Sequence, residues 1–155
     1  MNDHQKMVEE FMQSFGQEVP DKPTLALDAP SPFPFALRAK LILEEAIEFA
    51  EASGLIPHIE TNYAGKGVPH TESVGTEPDM VEMIDAMCDI LYVTYGAASA
   101  MGIDLTPYFA EVHRTNMAKL GPDGKPILRA DGKGMKPPGW KPPDLAAILA
   151  KELAK

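Results

Sequence analysis

Cysteine is almost missing from this 155-residue chain. Cys88 stands alone, so no disulfide can form within one chain, and a reducing compartment is expected. Basic residues are scarce over most of the length: up to Val112 there are 5 Lys/Arg against 19 Asp/Glu, and only from His113 onward does the balance reverse, to 9 against 4. At a net charge of −9 the chain is poorly suited to grip a phosphate backbone, so nucleic acid is not an expected partner. No apolar run reaches the roughly 18 residues that a membrane span needs. Polar residues follow Met1, which is unlike a secretory signal. These absences together predict a cytoplasmic protein with no membrane partner. Strand-like alternation and internal repeats are also missing from the pattern.

What is present is helical periodicity. Apolar residues make up 45% of the chain, enough for one domain spanning 1–155 with a real core. Val8, Phe11, Met12 and Phe15 recur at helical spacing over residues 2–16, ending at Gly16. A proline-dense stretch follows, from Pro20 to Pro34, which forbids regular helix. A second helix is expected over residues 35–53, stopped by Gly54, and a third over 79–101, before Gly102. Residues 54–77 read as a long loop. Thr106 as N-cap with Pro107 at N1 opens a fourth helix to Lys119. The segment from Gly121 is rich in turns, and a short helix over 144–154 closes the chain. The fold class is therefore all-α: a bundle of four to five helices with a proline- and glycine-rich C-terminal segment.

The second and third helices share an anomaly. At about 100° per residue, Glu44, Glu45 and Glu48 fall within one narrow wedge, with Glu51 at its edge, while the rest of that helix is apolar. In the third helix Glu82, Asp85 and Asp89 share one face, which Tyr92 and Gly96 continue. Helices apolar nearly all round are expected to be buried. Packed with the stripes facing, these two would gather five or six carboxylates. Such a cluster cannot ionise unaided, because burial and like charge both oppose it. A hard divalent cation removes both penalties, and an all-oxygen donor set suits Mg²⁺ or Mn²⁺ rather than zinc. Surface glutamates in salt bridges, or a structural cation site in a scaffold protein, are the plainer alternatives.

The basic end offers the opposite charge. His113, Asn116 and Lys119 are three apart and line one helix face, with Arg114 about 100° away. Asn116 and Lys119 are candidates for phosphate or sugar, and Arg114 for a forked contact. Arg129, Asp131, Lys133 and Lys136 lie in the glycine-rich tail, where Lys133 and Lys136 can close over phosphates; packing across a subunit boundary, anchored by Trp140, is the alternative, and both can hold at once. Tyr92, Phe11 and Phe15 are candidates to stack on a base or to fill the core. Met83, Met87 and Met101 read as core, Cys88 as buried packing, and His58 and His70 as ordinary loop residues.

Four stretches in order carry a resemblance: "EEAIE", "DILYVTYGAASAMGID", "EVHRTNMAKL" and "RADGKGMKPPGWKPPDL". Over about residues 8–145 the chain resembles the MazG-like all-α nucleoside triphosphate pyrophosphohydrolases, the group that includes dimeric dUTPases and phosphoribosyl-ATP pyrophosphohydrolase. The resemblance implies an α-helical homodimer or homotetramer that hydrolyses a (deoxy)nucleoside triphosphate to the monophosphate and pyrophosphate. It implies metal positions at Glu44, Glu45, Glu48 and Asp89. The family's ExxD motif would place a glutamate at position 86, where this chain has Ala86, so Asp85 is the expected substitute and Glu82 the reserve. Glu45 or Glu48 is expected to take the proton from the attacking water. Tyr92, Phe15, His113, Arg114, Asn116, Lys119, Arg129, Asp131, Lys133 and Lys136 make up the expected substrate contacts. Phosphoribosyl-ATP hydrolysis remains the alternative activity.

Overall fold

The computed structural model describes residues 1–25, 35–61, 67–129, 132 and 134–154. Five helices and one hairpin follow in the order α1 Asp3–Ser14, α2 Ala36–Ala52, β1 Leu55–Thr61, β2 Gly67–Ser73, α3 Met80–Ala100, α4 Leu105–Met117 and α5 Leu145–Leu153. The predominantly helical expectation holds.

Short polar side chains set most helix starts by accepting from backbone N–H groups that have no partner within the helix. Asn2 Oδ1 accepts from Gln5 N at 2.8 Å, and Asp79 Oδ1 accepts from Val81 N at 2.9 Å and Glu82 N at 3.2 Å. Asp144 Oδ1 accepts from Ala147 N at 3.0 Å. For α4 the cap is Asp104, accepting from Thr106 N at 2.9 Å, and not Thr106 as the Thr-Pro pair suggested. The Asp104 carboxylate takes the Thr106 N–H, so the helix starts at Leu105 and Pro107 falls inside its first turn.

The stretch read as a loop contains an antiparallel hairpin. β1 pairs with β2 in the register Leu55↔Ser73, His58↔His70 and Thr61↔Gly67. Its period-2 signal is lost because β2 is exposed along its whole length and each strand carries a proline, Pro57 and Pro69. A two-stranded ribbon has only edges, so prolines are tolerated there. His58 and His70 are thus cross-strand neighbours with stacked rings, 5.0 Å between centroids, and not loose loop residues. Gly54 turns the chain from α2 into β1 at φ +73°, where a Cβ would collide with the Thr76 carbonyl oxygen.

α3 is the axis of the molecule, with α1 and α2 both packed along it. Its C-terminal half, Gly96 to Ala100, is buried and built of small residues, which lets α1 approach closely. The central apolar cluster is small: Val8, Met12 and Ala100, with Val19 and Tyr95 against it. Gln5 is wholly buried, and its amide is fully used. Nε2 donates to Ser99 Oγ at 3.0 Å and to Ile103 O at 2.7 Å, while Oε1 accepts from Leu105 N at 3.1 Å. One side chain therefore ties α1 to the corner between α3 and α4.

α2 is not the buried helix that its composition suggested: Ala50 alone is buried along it. Leu43 is 54% exposed and Ile47 42% exposed, and on α3 Ile84 and Leu91 are 51% and 55% exposed. Met87 and Cys88, expected in the core, are exposed as well. The apolar pattern records surface that a single chain leaves open.

Candidate active site

α2 and α3, the two helices that carry the acidic stripes, pack on each other. Glu45 is where the acids of both helices are felt. Burial first, then the charges of Glu48, Asp89, Glu44 and Asp85, push its carboxyl above the usual range. Four further carboxylates, drawn from both helices, thus lie near enough to Glu45 to act on its charge. The cluster is more open than expected: Glu44 and Glu45 are half-buried, whereas Glu48, Asp85 and Asp89 are exposed. Glu44 is also held by Lys40 at 3.0 Å, one turn earlier. Among the described residues no three metal-ligating side chains close a coordination shell. The donor chemistry, oxygen throughout, fits Mg²⁺ or Mn²⁺, with remaining positions left for water or ligand oxygens.

Next to the acids stands an aromatic group. Tyr92 lies three residues after Asp89, Phe11 meets its ring edge-on at 5.6 Å, and Phe15 lies 4.4 Å from Phe11 between centroids. Phe15 is 69% exposed, so this is a surface and not the core. On the far side of Tyr92, the guanidinium of Arg38 lies over Gly96 and donates from Nη2 to Gln17 Oε1 at 3.1 Å. The sequence reading passed over Arg38. The signal was available: seven residues before Glu45 place it on the same helix face.

The basic candidates form a second group. α3 and α4 meet at a bend of 118°, and the main packing partner of α4 is α5. Arg114 is engaged by Glu111, with Nε to Oε2 at 2.7 Å and Nη2 to Oε1 at 2.8 Å. Lys119 donates to Asn116 Oδ1 at 2.7 Å. Trp140 donates from its indole N–H to the Thr115 carbonyl at 2.8 Å, which folds the tail onto α4 within one chain. Lys136 sits 4.1 Å above the Trp140 ring and Lys119 5.8 Å from it. Between α4 and Pro137–Lys141 a cleft of about 340 Å³ opens, with Arg114 and Lys141 on its wall. His113 and Arg129 are exposed, and Arg129 is engaged within the chain. Asp131 and Lys133 lie outside the described residues. The structure therefore brings the lysines together around Trp140, on an element whose principal packing is not with the acidic helices.

No curated protein matches the chain. A crystal structure from Exiguobacterium sp. 255-15, described as a "putative NTP pyrophosphohydrolase", is 32% identical over 99% of this chain and 95% of that one, with a TM-score of 0.42. The profile described as phosphoribosyl-ATP pyrophosphohydrolase matches residues 8–116, which takes in α2, α3, most of α1 and nearly all of α4. With both acidic helices inside that match, the chain belongs to the phosphoribosyl-ATP pyrophosphohydrolase family, one of the MazG-like all-α pyrophosphohydrolases.

Proposed function

We propose that this protein hydrolyses a (deoxy)nucleoside triphosphate to the monophosphate and pyrophosphate, with Mg²⁺ or Mn²⁺ held by Glu44, Glu45, Glu48, Asp85 and Asp89. What supports this reading is that carboxylates of both α2 and α3 lie near Glu45, on the two helices that fall inside the family match. These carboxylates would hold a divalent ion, which when bound would neutralise phosphate oxygens and acidify water. Glu45 or Glu48 takes the proton from the attacking water. Tyr92 and Phe15 supply an exposed ring surface for the base, beside the acids.

Asn116, Lys119 and Lys136 are suited to the anionic end of the substrate. Because α4 packs chiefly on α5, these groups meet the acids most readily from a second copy of the chain. Leu43 and Ile47 on α2 and Ile84 and Leu91 on α3 are exposed apolar side chains that a second copy would cover. We therefore propose a homodimer or homotetramer, working in the cytoplasm.

The test is direct. The protein is incubated with each (d)NTP, and with phosphoribosyl-ATP, in Mg²⁺ or Mn²⁺, and pyrophosphate is measured. Release from at least one (d)NTP is expected; release from phosphoribosyl-ATP alone would select the biosynthetic reading, and no release at all would remove both. Glu48→Gln is expected to abolish turnover while the metal-free melting temperature stays the same or rises. Full activity in that variant would dismiss the metal site.

A further inference from the structure

Arg38 is charged and half-buried, and among the described residues it has a neutral amide as its hydrogen-bond partner. Among the described residues no carboxylate lies within ion-pair distance of it, and burial holds its pKa below the usual guanidinium value. Gln17 Oε1 accepts from its Nη2 at 3.1 Å, and a Cβ built on Gly96 would stand 3.6 Å from its Nη1. Taking a guanidinium partly out of water with only a neutral amide for company costs free energy. A ligand rich in hydrogen-bond acceptors offsets that cost.

The position indicates which part of a ligand arrives there. Seven residues separate Arg38 from Glu45, almost two full turns and about 10 Å along the same face of α2. On α3, Tyr92 falls between Asp89 and Gly96, and carries Phe11 against its ring at 5.6 Å. Acids, exposed rings and fork therefore follow one another along one seam. With phosphates at the acids and a base on the rings, the edge of the base faces Arg38. The guanidinium carries donors only, and Gln17 Oε1 takes one of them, which turns the remaining N–H groups of the fork toward acceptors.

We propose that Arg38, supported by Gln17, reads the nucleobase and selects an edge with two adjacent acceptors, the O6/N7 edge of a 6-oxopurine, over adenine. This rests on the pyrophosphohydrolase reading for the placement of the phosphates. A guanidinium fork matches O6 and N7 of guanine, whereas adenine turns an amino donor toward it in place of O6. A fork for phosphate is the competing use, and the distance from the acids and the neighbouring rings favour the base.

The experiment compares wild type with Arg38→Lys, which keeps the charge and loses the fork. kcat/KM is measured for dGTP, dITP and dATP with Mg²⁺, and calorimetry measures dGMP and dAMP binding without metal. Wild type is expected to favour dGTP and dITP over dATP about ten- to a hundred-fold. Arg38→Lys should bring that ratio close to one and weaken dGMP while leaving dAMP unchanged. Equal rates for the three triphosphates in wild type, or an equal loss for all three in the variant, would overturn the proposal. If nothing is hydrolysed but dGMP outbinds dAMP and Arg38→Lys erases the difference, base selection stands and the pyrophosphohydrolase reading falls. Should Arg38→Lys melt early, Gln17→Glu decides, because a carboxylate there occupies the fork at an exposed position and must abolish the same preference.

Discussion

At Glu111 one carboxylate answers three donors. Arg114 gives two, and Asp144 N adds a third at 3.2 Å. The Arg114 bonds first, and then the Asp144 N–H, hold the Glu111 carboxyl down at about 2. A carboxyl held lower in the folded state stabilises it above the ordinary carboxylate range, and that contribution fades as the pH falls toward about 2. Acid titration followed by circular dichroism is expected to show Glu111→Gln converging on wild type at the low end of that window and falling below it at neutral pH. At Lys119, truncation to alanine should raise KM or lower kcat for the triphosphate; an unchanged kcat/KM would leave this lysine with structural contacts only. Residue identities such as the EExxE stripe were legible in the sequence because helical spacing alone places them on one face. The engagement of Arg114 by Glu111 was equally readable as an i,i+3 pair. The partnering of Lys136 with Trp140 was not, because it depends on how the tail folds back.

Between elements, the α4–α5 pair is fastened by side chains more than by packing, since no residue of α5 is buried. Tyr108 donates its hydroxyl to Glu152 Oε2 at 2.6 Å, and burial together with that bond pushes the phenol up to about 12. Tyr108→Phe should cost about 1 kcal/mol, seen as faster amide exchange over Leu145–Leu153 with α1–α3 unaffected. The hairpin depends instead on a backbone corner. Val74 N bonds Gly54 O at 3.1 Å, and Asp79 N bonds Ala52 O at 2.8 Å, bringing the return strand back to the end of α2. Gly54→Ala combines a left-handed φ with a collision at the Thr76 carbonyl, and should lower stability by more than about 1 kcal/mol in a thermal melt. Helix existence was readable here because the 3.6-residue period is strong. The hairpin was not, because neither strand has a buried face to impose alternation, and Asp104 out-competed a Thr-Pro start that looked equally good on paper.

For the molecule as a whole, the pattern of apolar residues describes more burial than one chain achieves. Leu43, Ile47, Ile84 and Leu91 stay open on α2 and α3, the two helices whose composition marks them for burial. Leu43→Asp or Leu91→Asp is expected to shift the sedimenting species toward monomer and to lower turnover with it; an unchanged sedimentation coefficient in both would argue against α2 and α3 as the joining faces. All-α architecture was legible from composition and period, whereas burial was not, since periodicity records that a face is covered without saying by what. The single tryptophan adds a practical consequence. Its indole lies under one ammonium group and near another, so a polyanion that draws those lysines away changes its emission. Intrinsic fluorescence thereby becomes a label-free titration of the basic tail, with no competing indole to subtract.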